Sequence, residues 1–247
     1  MEIVILTAFG VGGATVFGAA LGMIFRHTSR RFCDGATSFA AGVMLAAAVV
    51  GLILPSLEYG GRHSVLVSVV GIFVGALCLD LFDRLLLRGR WAMKFSADSD
   101  AGLRRVVMFV TAIAIHNLPE GIAAGVGFGN QDIGRGLFIA TAIALQNIPE
   151  GMAVIVAMLG VGIKPSRTFI IAAFTGVVEI FGTLLGYFAI NISSAILPFA
   201  LAFAGGNMLY VIADEMIPEV HSEGEGSSAT YLILAGFCLM LIINELL

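Results

Sequence analysis

Thr111–Val126 reads TAIAIHNLPEGIAAGV, and Thr141–Val156 reads TAIALQNIPEGMAVIV. The two stretches lie 30 residues apart and agree at ten of sixteen positions, so the chain contains an internal repeat. Each copy is largely apolar around one polar group: His116, Asn117 and Glu120 in the first, Gln146, Asn147 and Glu150 in the second. Extended on both sides, each becomes an apolar run of about 20 residues, the length a helix needs to cross a bilayer. Consecutive spans joined by a short loop run antiparallel, and inverted repeats meeting at mid-membrane are where many transporters hold their substrate. The repeat predicts an all-α, polytopic integral membrane protein.

Composition points the same way. Of 247 residues, 59% are hydrophobic and 12% are charged, and the mean hydropathy is +1.01. A water-soluble domain carries about 25% charged residues. Eighteen Phe, ten Met and 31 Gly suit helices packed closely in lipid. The formal charge of −4, with no basic stripe, argues against nucleic acid as a partner. Cys33, Cys78 and Cys238 show no CxxC spacing, which argues against a disulfide framework or a thiolate zinc site. The Met1-Glu2 start has no basic n-region and reads as the head of a retained span rather than a signal peptide.

Eight spans are expected, near Ile3–Phe25, Gly35–Leu57, Ser64–Leu87, Arg105–Gly127, Gly136–Leu159, Arg167–Ile190, Ala195–Pro218 and Thr230–Leu246. They form one transmembrane domain over residues 1–247. A strand barrel would need strict alternation, which these runs lack. Ile180–Ala213 carries no charge, so the turn is placed at the polar cluster Asn191–Ser194. Arg26, Arg30, Arg31, Arg84, Arg88, Arg90, Lys94, Arg104, Arg105, Lys164 and Arg167 fall on one side of these spans, and only Arg62 and Arg135 on the other. The positive-inside rule then puts the loop near Gly89–Leu103 in the cytoplasm and both termini outside it, in the cell (inner) membrane.

The polar groups lie about twelve residues, or ~18 Å, into their spans, close to the midplane. Glu179 reaches a similar depth in the sixth span. Charged groups there cost several kcal/mol and usually face a partner or a watery path. His116 and Glu120 are i, i+4 on one helix face, as are Gln146 and Glu150. Pro119 and Pro149 remove a backbone donor, freeing the carbonyls of Ile115 and Leu145, while Gly121 and Gly151 leave room beside each Glu. An imidazole with carboxylates and amides suits borderline divalent ions such as zinc, iron or manganese.

HNLPEG at His116–Gly121 and QNIPEG at Gln146–Gly151 resemble the paired signatures of the ZIP (Zrt/Irt-like) metal-transporter family, in its GufA-like branch. The eight spans and outside termini match too, so the resemblance covers essentially the whole chain. It implies one metal among His116, Glu120, Gln146 and Glu150, and a neighbouring one among Asn117, Glu120, Asn147, Glu150 and Glu179, with Glu120 and Glu150 bridging. Met44 matches a thioether placed beside the first position in some members. Asn147 departs from members with Asp there, and the cytoplasmic loop lacks the histidines many relatives carry. The resemblance also implies a homodimer in which spans 1, 4, 5 and 6 slide against the rest. Gly18/Gly22, Gly121/Gly125 and Gly182/Gly186 are GxxxG pairs in that unit, suited to packing or to sliding.

Among the remaining acidic groups, Asp80 and Asp83 read as interfacial partners of Arg84, and Glu223 and Glu225 as members of a solvated loop at His221–Ser228. Asp214, Glu215, Glu219 and His221 are candidates for an exit path. An intramembrane metalloenzyme lacks support, because no HExxH occurs. The expectation is therefore a non-enzyme without a catalytic cofactor, carrying Zn2+ first, or Cd2+, Fe2+ or Mn2+, into the cytoplasm. A passive channel would use the same ligands. Protons should compete with metal at Glu120 and Glu150, making uptake depend on pH.

Overall fold

The computed structural model describes residues 1–25, 30–87, 101–192, 194–221 and 226–246. Arg26, Arg88, Arg90, Lys94, Ser193, Glu223, Glu225 and most of the expected cationic loop lie outside these residues. The side chains of Arg30, Arg31, Asp83, Arg104, Arg105, Glu219 and His221 also lie outside the description.

The described residues form eight long helices and no strand. They are α1 (Glu2–Ile24), α2 (Arg30–Ala46, then a π-helical Ala47–Ile53, then Leu54–Tyr59), α3 (Ser64–Leu87) and α4 (Ala101–Val126). The second half comprises α5 (Ile133–Gly160), α6 (Pro165–Ile192), α7 (Leu197–Val211, a π-helical Ile212–Met216, then Ile217–His221) and α8 (Gly226–Leu246). The helix starts follow local chemistry. The Asp132 carboxylate accepts the Arg135 backbone N–H at 2.9 Å and caps α5. Pro165 opens α6, and Pro198 sits in the first turn of α7, where a missing N–H costs nothing. Gly162 turns the chain between α5 and α6 at φ 80, a left-handed conformation suited to glycine.

Several ends differ from expectation. Within the described residues, α2 is already helical at Arg30 rather than from Gly35, α4 at Ala101 rather than from Arg105, and α8 at Gly226 rather than from Thr230. Residues 226–228, expected in a solvated loop, are therefore helical. Polar turns at the ends of a span keep helical hydrogen bonding, although hydropathy alone does not register them.

Among the described residues, seven helices are long and apolar enough to cross a membrane; α4, of similar length, carries His116, Asn117 and Glu120 in its middle. The burial pattern is that of a protein dissolved in lipid. Leu6, Phe9, Phe73, Phe174 and Phe181 are exposed, whereas Thr15, His116, Asn117, Gln146, Asn147 and Glu179 are buried. Polar groups must be satisfied inside such a bundle, because the hydrocarbon offers no partners.

The helices pack as two sets of four. Helix α1 lies against α5 and α6, and α4 against α6; in the other set α3 packs on α7, and α2 on α8. The sets meet where α2 touches α5 and α4 touches α7. The three GxxxG pairs all fall inside the first set. Gly18 and Gly22 press on the Ile148 and Met152 backbone of α5, while Gly121, Gly125, Gly182 and Gly186 make the α4–α6 crossing. These glycines hold the first set together, backbone on backbone. The apolar core shared by the two sets includes larger side chains, among them Val43, Leu52, Ile139, Ile143, Leu201 and Met208.

Candidate metal-ion site

A cavity of about 90 Å³ lies where the two sets meet, with Met44 of α2, His116 and Glu120 of α4, Gln146 and Glu150 of α5, and Glu215 of α7 in its wall. Such a space holds an ion with a few waters. The i, i+4 spacing places His116 above Glu120 and Gln146 above Glu150, and the antiparallel crossing turns both faces inward. His116 is 4% exposed, Glu120 3%, Gln146 2% and Met44 1%. Both motif helices are continuous through Pro119 and Pro149.

The groups hold one another. Gln146 Nε2 donates to Glu120 Oε1 at 2.6 Å, joining α5 to α4. His116 Nε2 lies 3.2 Å from Glu215 Oε1. Glu120 Oε2 and Gln146 Oε1 are buried without a hydrogen-bond donor among the described residues. Buried oxygens without donors are costly unless a cation or water meets them. Among the described residues, no three His, Cys, Asp or Glu side chains are close enough to enclose an ion by themselves. The amide of Gln146 and the thioether of Met44 line the same space and, with water, are available to an ion.

The residues expected around a second metal are divided. Glu120 and Glu150 line the cavity, but Asn117, Asn147 and Glu179 form a separate, fully buried group behind it. Asn117 Nδ2 donates to Glu179 Oε1 at 2.5 Å and Asn147 Nδ2 to Glu179 Oε2 at 2.6 Å. Thr15, not among the residues expected at the site, donates its hydroxyl to Glu179 Oε1 at 2.8 Å. Of the exit-path candidates, Glu215 belongs to the cavity itself, Asp214 is exposed, and the side chains of Glu219 and His221 are outside the description. Asp80 pairs with Arg84 at 2.7 Å, as expected of an interfacial pair, and also accepts from Tyr210 at 3.1 Å.

At the opposite end of α2 and α5 a second cavity, about 340 Å³, is lined by Glu58, Asp132, Arg135 and Asn244. There the Arg135 guanidinium donates to the Tyr59 hydroxyl at 2.7 Å and pairs with Asp132 at 3.3 Å. Along α5 the fully buried Ile139 and Ile143 separate Arg135 and Phe138 of the second cavity from Gln146 of the first.

Residues 93–244 match the family model described as ZIP zinc transporter. The chain is 35% identical over 239 residues to the zinc transporter GufA of Myxococcus xanthus, with 94% of each chain covered. The chain belongs to the ZIP family. Its similarity to the human zinc transporter ZIP11 is 32% identity, covering 97% of this chain and 96% of that one. Its similarity to the zinc transporter ZIPB of Bordetella bronchiseptica is 36% identity, covering 95% of this chain and 78% of the relative. The ZIP match includes both motif helices and Glu179, and the full-length similarities extend to α1 and α2, which carry Thr15 and Met44.

Proposed function

We propose that the chain carries a divalent transition-metal ion, zinc foremost, through the cavity between the two four-helix sets into the cytoplasm. The observation that carries this reading is the convergence of both motif copies on one buried space: His116, Glu120, Gln146 and Glu150 with Met44. Imidazole, carboxylate, amide and thioether together favour zinc, cadmium, iron or manganese over magnesium or calcium, which prefer oxygen alone. The names of the relatives, all zinc transporters, support zinc as the first of these. The charge bias of the loops supports both termini lying outside the cytoplasm, and the family resemblance supports a homodimer.

A carrier is favoured over an open pore by the packing between the two cavities. Ile139 and Ile143 are 0% exposed, as are Leu52 and Leu201 nearby, so the path is closed on one side of the ion site. Movement of one four-helix set against the other would exchange the closed side.

The test is uptake by the purified chain in liposomes, comparing zinc, cadmium, iron and manganese with and without a pH gradient. Saturable zinc or cadmium uptake is expected, and flux that rises without limit would favour the pore. The carboxylates and His116 bind metal only when deprotonated. Acidifying the side from which the ion enters is therefore expected to slow uptake, with part of the loss recovered by raising the metal concentration. Uptake unchanged by acid would rule out proton competition.

A further inference from the structure

Four helices of the first set meet at a single carboxylate. Glu179 of α6 accepts from Thr15 of α1, Asn117 of α4 and Asn147 of α5, at 2.8, 2.5 and 2.6 Å. Asn147 Nδ2 also reaches the Val11 carbonyl of α1 at 3.2 Å. Asn117, Asn147 and Glu179 are 0% exposed and Thr15 is 1%. None of the four lines the cavity that holds His116, Glu120, Gln146 and Glu150. The reverse amide orientations would set the amide oxygens against the carboxylate, so the donors point as described.

Helix geometry ties this carboxylate to the ion site. Asn117 follows His116, and Asn147 follows Gln146. Successive residues on a helix are about 100° apart. Each motif helix thus shows a ligand to the cavity and, on the adjoining face, an amide to Glu179. Rotating either helix to bring its ligand out of place would also pull its amide away from the carboxylate. We propose that Thr15 is a positioning residue for the ion site, closing with Asn117 and Asn147 a clamp on Glu179 that fixes both motif helices, and that Glu179 serves this clamp rather than a second ion. The proposal rests on the cavity being the ion site. An ion at the second position would need the amide nitrogens turned away and Glu179 released from three donors. Of the clamp's oxygens, only Asn117 Oδ1 is buried without a donor among the described residues.

The test is zinc binding to the purified full-length chain by equilibrium dialysis with elemental analysis, beside zinc uptake in liposomes. The wild-type chain is expected to bind one zinc. Thr15→Val keeps the shape and removes the hydroxyl; because Thr15 acts through Glu179 rather than on a ligand, it should weaken binding up to about 10-fold, the lower end of the cost of losing a group bonded directly to a ligand. Thr15→Ser should restore affinity, and Glu179→Gln should still bind one zinc, more weakly. Wild-type affinity in Thr15→Val would overturn the proposal, and so would a Thr15→Ser variant as weak as Thr15→Val. Two zinc ions per wild-type chain, falling to one in Glu179→Gln, would make Glu179 a ligand and equally overturn it. His116→Ala separates the two levels: if it binds zinc as the wild type does, the cavity reading fails. If it loses zinc while Thr15→Val does not, only the clamp fails.

Discussion

Glu120→Ala is expected to abolish metal uptake and to weaken zinc binding by more than the roughly 10–100-fold that loss of an orienting partner costs. Glu120 is 3% exposed, and its two oxygens do different things. Oε1 accepts the Gln146 amide at 2.6 Å, which couples the motif helices, while Oε2 has no donor among the described residues. Alanine removes the carboxylate proposed to meet the ion and takes from the Gln146 nitrogen its acceptor at 2.6 Å in a buried site. Unpaired buried polar groups and the loss of a metal bond act in the same direction here. Glu245, exposed near the end of α8, is the matched control, and Glu245→Ala should transport as the wild type does. Uptake in liposomes and zinc binding by the purified chain would check both. A Glu120→Ala variant that still transports would remove the carboxylate from the path.

Gly125→Leu is expected to prevent folding of the first four-helix set. A Cβ at this position would collide with the Thr183 carbonyl and lie 2.7 Å from the Tyr187 backbone nitrogen. Both obstacles are backbone, so no change of rotamer relieves them, and α4 and α6 would have to move apart. Separation at that crossing would also carry Gly121 away from the Glu179 backbone and loosen the clamp. Overpacking by even a few methylenes costs about 1–3 kcal/mol or more. Here the displaced element is a whole helix. Gly10→Leu and Gly13→Leu, on α1 where a Cβ meets nothing within 4 Å, should leave the protein intact. Size-exclusion profiles in detergent distinguish the outcomes, with aggregate expected for Gly125→Leu and a single peak for the controls.

Much of this arrangement is legible in the amino-acid sequence alone. The repeat carries the antiparallel pairing of α4 and α5, and the i, i+4 spacing carries the convergence of His116, Glu120, Gln146 and Glu150. Composition carries the lipid solvent. What the sequence does not show lies in the third dimension or in unusual backbone. Glu215 reads as an exit group because it sits near the end of a span. In the structure it also faces His116 at 3.2 Å from within the π-helical Ile212–Met216, a local widening with no residue signature in IADEM. Thr15 is, in sequence, one small residue among many. Its signal is the stripe Gly12, Thr15, Gly18, Ala19 and Gly22, all buried on one face of a helix otherwise rich in bulky side chains. Glu179 stands out by its depth, but depth does not tell a ligand from a clamped carboxylate. That distinction depends on which amides reach it.

If the two motif copies form one ion path through the membrane, removing a ligand from each must close it. The most direct measurement is zinc flux into liposomes containing the purified chain, set beside the double variant His116→Ala, Glu150→Ala and empty liposomes. Saturable flux is predicted in the wild type, and flux in the double variant no greater than in empty liposomes. Full flux in the double variant, with both proteins inserted in equal amounts, would contradict a path through these helices.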